Sequence, residues 1–537
     1  MTRVRGNDYR VLEVPELGSW TPRMSVSVII PAYGGQDKLD LVLEAIEKQS
    51  YPAHLVEVVV VDNGSAPPLR APSWAKLIVC ESPGRAAARN AGLAVASGEV
   101  IHWLDSDVVL TPRAIEAHMR WHHLAPYLVV TGYIRFTSAP APARLPGDLE
   151  SAFEPAEPHA WIVDLVERSD GLTANPTRPF SLHVGGATSV NAALVAAAGP
   201  MDEELILGQD TEMGYRLAQA GAVFVPEPQA RAYHLGPTMR MRDKAPIDRV
   251  SHATVADRIP AYRWLRSHPG RQWKVPFVEA VVRADEGGYE DVRATVDALL
   301  AGTVPDVSVT LVGPWDVLDR DRRAPLKDPA LDLVLLQGHY AHEGRVRLSV
   351  TGDVDPAVPY VLRLPAGWTP GEDSLARLLD IAKDEGQGLV NVLLSESGEG
   401  VVTARLERTA AFARARVVLE PGEELDDAVD AVFGVRWVEG ETYGFARQAR
   451  VPLGRRGAYR ARTEAQAEAA KLRAEVERLR GQVDRWREES GKWRRSTVEL
   501  RREVGTLRRQ LAAAGRVQQG LRAALTASVR RALRRRA

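Results

Sequence analysis

One cysteine among 537 residues removes two classes of protein at once. Cys80 alone closes no intramolecular disulfide and supplies no cysteine-based zinc cluster. In the run Leu77-Ile78-Val79-Cys80 it reads as a small buried apolar residue. Long apolar runs are also missing. No stretch approaches the length needed to span a bilayer, and the opening MTRVRGNDYR lacks the apolar centre of a signal peptide. A cytoplasmic protein is expected, at most peripheral at the inner face of the plasma membrane. Excess charge is absent as well: 69 Lys and Arg face 70 Asp and Glu, a formal net charge of -1 that gives no global pull toward nucleic acid. The balance fails locally, because the last 22 residues carry seven arginines and no acid. The chain is too long for one core, and 45% hydrophobic with 26% charged residues is a composition that folds.

After a polar amino-terminal extension, residues 1–24, apolar runs and breakers alternate. Ser25 to Ile30 predicts a strand ended by Pro31 and the loop AYGG. Lys38 to Gln49 places Leu39, Val42, Leu43 and Ile46 on one helical face. Val56 to Val61 predicts a strand running into Asp62 and the Asn63-Gly64 turn, Leu77 to Cys80 another, and Arg85 to Ala96 an alanine-rich helix. The fourth strand, VIHWLDSDV over Val100 to Val108, stops on Asp105 and Asp107. Thr111 as N-cap with Pro112 at the first helical position supplies the next helix start, so neither aspartate is needed to cap it. This order predicts an α/β domain with a mostly parallel sheet and Tyr33, Asp62 and Asp105 at carboxyl ends of strands, where such sheets bind ligands. Two carboxylates one residue apart suit one hard divalent cation, with positions left for phosphate oxygens.

Beyond a long irregular stretch from Phe136 to Phe180, Gly185-Gly186 precedes a predicted helix at Ser189 to Ala198. Gly208-Gln209-Asp210 opens another over Thr211 to Ala220, and a strand at Ala222 to Val225 leads through a Pro-rich turn to Tyr233-His234-Leu235-Gly236. His118, His122 and His123 fall in a helix and read as packing or surface residues.

The series VSVIIPAYGG, VEVVVVDNGS, GRAAARNAGLAVASGEVIHWLDSD, GGATSVNAALVAAAGPMDEELILGQDTEMGYRLAQAG and YHLG resembles family 2 glycosyltransferases of the GT-A fold, a Rossmann-like nucleotide-diphospho-sugar transferase domain, over about residues 25 to 240. The resemblance implies that Pro31 and Tyr33 shape a base pocket, that Asp62 contacts the base, and that Arg89 supports the base or ribose end. It implies that Asp105, Asp107 and His234 hold Mn2+ or Mg2+, with Asp105 and Gly186 also on the nucleotide-sugar side, and that Asp210 is the general base of an inverting transfer. Gly34 departs from the commoner Asn, and Gln209 from the Glu usual before the catalytic Asp. Asp62 as a turn former, Arg89 as a solvated helix residue, His234 as a structural histidine and Asp210 as a helix-end carboxylate remain alternative readings.

The boundaries expected are a catalytic GT-A domain at 25–270, a smaller degenerate GT-A-like α/β domain at 271–455, a coiled coil at 456–515 and a basic amphipathic tail at 516–537. The second domain rests on an internal match: PYVLRLPAGWTPGEDSLARLLD runs in register with EVIHWLDSDVVLTPRAIEAHMR, with Pro365 and Gly367 where the aspartates stand. The coil rests on Leu472, Leu479, Trp486, Trp493, Leu500 and Leu507 at one core position and Val476, Val483, Ser490, Thr497, Val504 and Leu511 at the other, a pattern suited to a parallel homodimer. In the tail, Val517, Leu521, Leu525, Val529 and Leu533 recur among arginines, which suits an anionic membrane surface or an acidic partner. The expected activity is transfer from a nucleoside diphosphate sugar, UDP-sugar favoured, to a hydroxyl of a cell-envelope or lipid-linked glycan. A catalytically silent sugar-binding scaffold is the alternative.

Overall fold

The computed structural model describes residues 2–138, 141–173, 178–268, 270–318, 323–397, 400–447 and 455–534. The chain divides into a compact unit, Met1–Pro452, and a carboxyl-terminal unit, Leu453–Ala537.

The first unit is α/β and contains two mixed sheets. In the first, β1 (Val26–Ala32), β2 (Val56–Asp62), β3 (Lys76–Val79) and β4 (Val100–Leu104) are parallel, in the order β3-β2-β1-β4. Of these, β1 and β4 are buried almost throughout, as continuous apolar strands covered on both faces must be. Helices α1 (Gln36–Glu47) and α2 (Arg85–Val95) make the crossovers. Beyond β4 the sheet continues through β8 (Ala187–Asn191), antiparallel to both β4 and β6 (Leu128–Thr137), and then through β9 (Val223–Leu235), parallel to β6. The short β5 (Val108–Leu110) returns antiparallel on β9, and β7 (Ala156–Pro158) on β6.

Several sequence expectations change here. Helix α3 (Ala114–His122) starts after Arg113, and the Thr111 hydroxyl bonds the Arg231 carbonyl instead of capping. The stretch read as irregular contains α4 (Leu149–Phe153) and α5 (Ala160–Arg168). Residues 187–191 are a strand and only α6 (Ala192–Ala198) is helical, because the sheet claims Ser189 and Val190 before Asn191 caps the helix. The Pro-rich segment lies inside β9: Pro226 is in register with Thr131, and Pro228 falls in the register shift between Glu227, opposite Gly132, and Arg231, opposite Tyr133, where no regular ladder bond is needed. Helix α7 (Gln209–Gln219) matches expectation within two residues.

The second sheet consists of β10 (Val278–Arg283), β11 (Val307–Val312), β12 (Val346–Ser349), β13 (Tyr360–Arg363), β15 (Leu389–Ser397), β16 (Gly400–Arg408) and β17 (Val435–Glu439), with β14 (Trp368–Thr369) and β18 (Ala446–Arg447) as a separate pair. Its path β12-β11-β10-β13-β16-β15-β17 repeats β3-β2-β1-β4-β8-β6-β9 with the same parallel and antiparallel steps. Pro365 to Gly367 link β13 to β14 as Asp105 to Asp107 link β4 to β5.

The amino-terminal residues, read as a polar extension, are an integral part of this unit. Val4 and Leu12 are buried in a cluster shared with Leu128, Val223, Phe412 and Val429. Asn7 bonds the Leu172 and Phe224 carbonyls and accepts the Phe224 N–H. Arg414, from the helix Thr409–Val418, is 2% exposed and donates to the carbonyls of Gly221, Ala222 and Val4 at 2.8, 2.8 and 3.1 Å. Burial lowers its pKa to about 10. Its replacement by Met leaves those acceptors in an apolar interface, so Arg414→Met is expected to lower stability by about 3 kcal/mol or more in urea titrations; a loss under about 0.5 kcal/mol would contradict this.

Behind β4, His102, His118 and His122 are buried together, with His118 Nδ1 and His122 Nε2 at 2.9 and 2.8 Å from the Ser189 hydroxyl. Burial lowers the pKa of His102 to about 4 and of His122 to about 3. Such groups are neutral when folded but take up protons when unfolded below about pH 6.5, so stability is complete above that pH and declines below it. For His102 the decline amounts to about 2 kcal/mol at pH 5. Unfolding midpoints of the wild type are expected to fall between about pH 7 and pH 5, with a shallower fall in His102→Leu.

Candidate active site

The carboxyl ends of β1, β2 and β4 lie side by side. Ala32 pairs with Asp62, and Pro31 with Val61. Tyr33 leaves β1 78% exposed. Gly34 and Gly35 both have a φ of 65°, a conformation that Gly or Asn adopts with little strain, so Gly34 preserves the turn while removing an Asn side chain. The Gly34 N–H donates to the Ser65 hydroxyl at 2.8 Å, joining the loops after β1 and β2.

Asp62 is buried, and its two carboxylate oxygens accept from the backbone N–H groups of Ser65 and Leu69 at 2.8 and 2.9 Å. Burial raises its pKa, but the hydrogen bonds from Ser65 and Leu69 outweigh this and hold it below the usual value. The turn-forming role is thus present, and it fixes an ionised carboxylate at the strand end.

Arg89 is the best-buried charge in the site. Its side chain is 2% exposed, so the solvated-helix reading is overturned. Nη1 lies 2.5 Å from Asp210 Oδ1, Nη2 2.8 Å from Asp105 Oδ1, and Nη2 also donates to the Gly185 carbonyl at 3.0 Å. Arg89 joins the Asp105 carboxylate at the end of β4 to the Asp210 carboxylate in the first turn of α7. A Cβ on Gly185 would run into its guanidinium, and one on Gly186 would lie 3.1 Å from Asp105 Oδ2. The two glycines let the chain pass the bridge.

Asp210 sits in the first turn of α7, about a third exposed. Burial raises its pKa, whereas Arg89, then His183 and Arg85, pull it down, and the net shift is downward. His183, which carried no motif signal in the sequence, holds its Nδ1 2.8 Å from the Asp210 carbonyl; burial lowers its pKa to about 4 against the opposing pull of Asp210. Gln209 explains its own departure from Glu. Its amide Nε2 donates to the carbonyls of Leu205 and Ile206 at 2.7 and 3.0 Å, which a carboxylate would repel. The preceding Gly208 has a φ of 92° and abuts Val255 and Ser251.

Asp107 belongs to a neighbouring group. His234 Nε2 lies 3.5 Å from its Oδ1, and Lys38 Nζ 3.6 Å from its Oδ2. Pairing of Val108 with His234 in the β5–β9 ladder sets this approach, and His234 Nδ1 is buried without a protein partner. Among the described residues, no three His, Cys, Asp or Glu side chains converge as a ready metal cage. Asp107 and His234 are together, while Asp105 Oδ1 is turned to Arg89. Imidazole and carboxylate donors at this separation fit one divalent cation, with Asp105 one residue removed.

Residues 27–160 match the family model described as Glycosyl transferase family 2. Glycosyltransferase AglE of Haloferax volcanii is 37% identical over 91 residues, 15% of this chain and 30% of that protein. Validoxylamine A glucosyltransferase of Streptomyces hygroscopicus subsp. limoneus is 25% identical over 298 residues, 48% and 60% of the respective chains. Pre-mycofactocin glycosyltransferase of Mycobacterium tuberculosis is 28% identical over 231 residues, 41% and 44%. The chain thus spans between 30% and 60% of these relatives. Among solved structures, the mannosyltransferase PcManGT from Pyrobaculum calidifontis, in complex with GDP-Man and Mn2+, has a TM-score of 0.31 at 21% identity, covering 44% of this chain and 65% of that one. The matched residues take in nearly all of β1 and the whole of β2 to β4, with Asp62, Arg89, Asp105 and Asp107, whereas Asp210 and His234 lie beyond them.

Gln209→Glu is expected to cost about 1–3 kcal/mol at neutral pH and to recover part of this relative to wild type on acidification, when a protonated carboxyl again donates. Urea midpoints at two pH values measure it; equal stability at neutral pH would contradict the role given to the amide.

Proposed function

We propose that this protein is an inverting GT-A glycosyltransferase that takes a nucleoside diphosphate sugar in the crevice at the ends of β1, β2 and β4 and transfers the sugar to a hydroxyl acceptor. The observation that carries the reading is the Arg89 bridge, which brings Asp105, inside the residues matched by the family 2 model, and Asp210, beyond them, to one guanidinium. Tyr33 and Pro31 would border the base, and the fixed Asp62 carboxylate would accept a hydrogen bond from it. Asp107 and His234, with Asp105 beside them, would hold Mn2+ or Mg2+, which supplies positive charge for the departing diphosphate. Lys38 adds a further positive charge near Asp107.

Asp210 would take the acceptor proton through the carboxylate oxygen left over from the Arg89 Nη1 contact. Its lowered pKa keeps it ionised and ready, at the expense of basicity, while Arg89 fixes its direction. UDP-sugar is the favoured donor, and a cell-envelope or lipid-linked glycan the favoured acceptor. The second sheet is read as a degenerate copy of the first, whose Pro365 and Gly367 supply no carboxylate. The basic end of the chain suits contact with an anionic membrane surface from the cytoplasm.

Melting temperatures with UDP, GDP and TDP, each with and without Mn2+, test the donor site. Ligand at a hundred times its dissociation constant adds roughly 2.7 kcal/mol, and one nucleotide is expected to do so only with metal, the effect vanishing in Asp107→Ala. Asp210→Asn is expected to keep that binding while lowering kcat by about a hundredfold or more. No stabilisation by any of the three would overturn the proposal.

A further inference from the structure

The described residues of the carboxyl-terminal unit form a single helix, Arg455–Arg534, of 80 residues. Along it, Leu472, Val476, Leu479, Val483, Trp486 and Trp493 form one stripe with 46 to 74% of each residue exposed, and Leu500, Val504, Leu507 and Leu511 continue it. The stripe alternates in steps of three and four from Leu472 to Leu511, the 3.5-residue period that keeps a seam facing a partner helix. Past Leu511 the spacing of Val517, Leu521, Leu525 and Val529 becomes four, which turns the apolar line away from the seam.

The residues flanking that seam are sorted by charge. With the leucine and tryptophan positions as d, every e position from the first heptad to the last is arginine: Arg473, Arg480, Arg487, Arg494, Arg501 and Arg508. The g positions are Glu468, Glu475, Gln482, Glu489, Ser496 and Glu503, with no base among them. In a parallel pair each g residue faces the e residue five positions later on the other helix. That gives Glu468 with Arg473, Glu475 with Arg480, Glu489 with Arg494 and Glu503 with Arg508, each formed twice. In an antiparallel pair e faces e, and six arginines would confront six arginines. Within the single chain some of these groups make exposed local pairs, such as Glu475 with Arg478 at 2.5 Å, which exchange readily.

From this charge sorting the geometry points to a second copy of the same chain as the occupant of the seam, in parallel and in register, making a two-stranded coil over Leu472 to Leu511. Valine at a with leucine at d favours two strands over three. Ser490 and Thr497 at a follow Trp486 and Trp493 at d by four residues, so small side chains lie next to the two largest and leave room for both copies of each indole. The parallel arrangement also brings two arginine-rich ends side by side. The inference is independent of the catalytic reading, because none of these residues belongs to the site.

Sedimentation of the full chain is expected to give twice the chain mass. In a Cys80→Ala background, Leu479→Cys is expected to form an intermolecular disulfide between identical positions on mild oxidation. A triple variant, Arg480→Glu with Arg494→Glu and Arg508→Glu, is expected to weaken self-association roughly tenfold or more and to recover on mixing with Glu475→Arg, Glu489→Arg and Glu503→Arg in a second chain. A monomer or a trimer overturns the proposal, as does a dimer that fails to crosslink at position 479. Indifference of the dimer to the triple charge reversal overturns the role given to the arginines.

Discussion

One buried guanidinium between two carboxylates holds the candidate site together. Arg89 reaches Asp105 at the end of β4 and Asp210 at the start of α7, which are separated in sequence by more than a hundred residues. Stripping water from an arginine is costly unless its donors are all taken by good partners. Here Nη1 and Nη2 meet two carboxylates and the Gly185 carbonyl, while Nε has no protein partner. The same contacts that keep Arg89 charged keep Asp210 ionised and aimed. Gly185 and Gly186 follow from the bridge, because side chains there would collide with it or crowd Asp105. Asp107, with Lys38 and the His234 imidazole near its two oxygens, forms a second polar group beside it.

The surroundings of α7 show how the rest of the unit supports that arrangement. Gln209 fastens the incoming loop, and Tyr215 donates to the Ala357 carbonyl in the second half of the unit at 2.6 Å. Arg414 secures the turn after the helix at Gly221 and Ala222. The helix carrying Asp210 is therefore held at both ends and on one face. The second sheet repeats the strand path of the first, with Pro365 and Gly367 at the positions of Asp105 and Asp107.

Much of this could be read from the chain. Strands β1, β2 and β4 are short apolar runs ended by breakers; β1 and β2 agree with expectation within two residues, while β4 starts where expected and ends at Leu104, just before the first aspartate. Four aspartates, Asp62, Asp105, Asp107 and Asp210, could be chosen as chemistry because each follows an apolar strand or opens a helix. The internal match of residues around Pro365 with those around Asp105 falls just after β13 and β4, which hold the same place in the two strand paths. Other features depended on tertiary contacts. Ser189 and Val190 carry helix-compatible neighbours, yet the central sheet needed a strand there. The polar amino terminus gave no apolar periodicity, although Asn7 and Val4 become buried with partners hundreds of residues away, the Phe224 carbonyl and the Arg414 guanidinium. Arg89 is singled out only through the family resemblance, and its contacts with Asp105 and Asp210 depend on tertiary structure that the alanine-rich helix alone does not show. The loss of Glu before Asp210 looked like a catalytic change and is explained by two carbonyls accepting from Gln209.

The most direct test of the bridge is a double-mutant cycle on folding stability, with Arg89→Met, Asp210→Asn and the pair together, measured by urea unfolding at neutral pH. If one buried guanidinium holds the Asp210 carboxylate, each single change leaves the other charge without its partner and the double change removes both. The account predicts a coupling energy of about 2 kcal/mol or more. Single effects that add to within about 0.5 kcal/mol would contradict it, since they would show that Arg89 and Asp210 do not depend on each other.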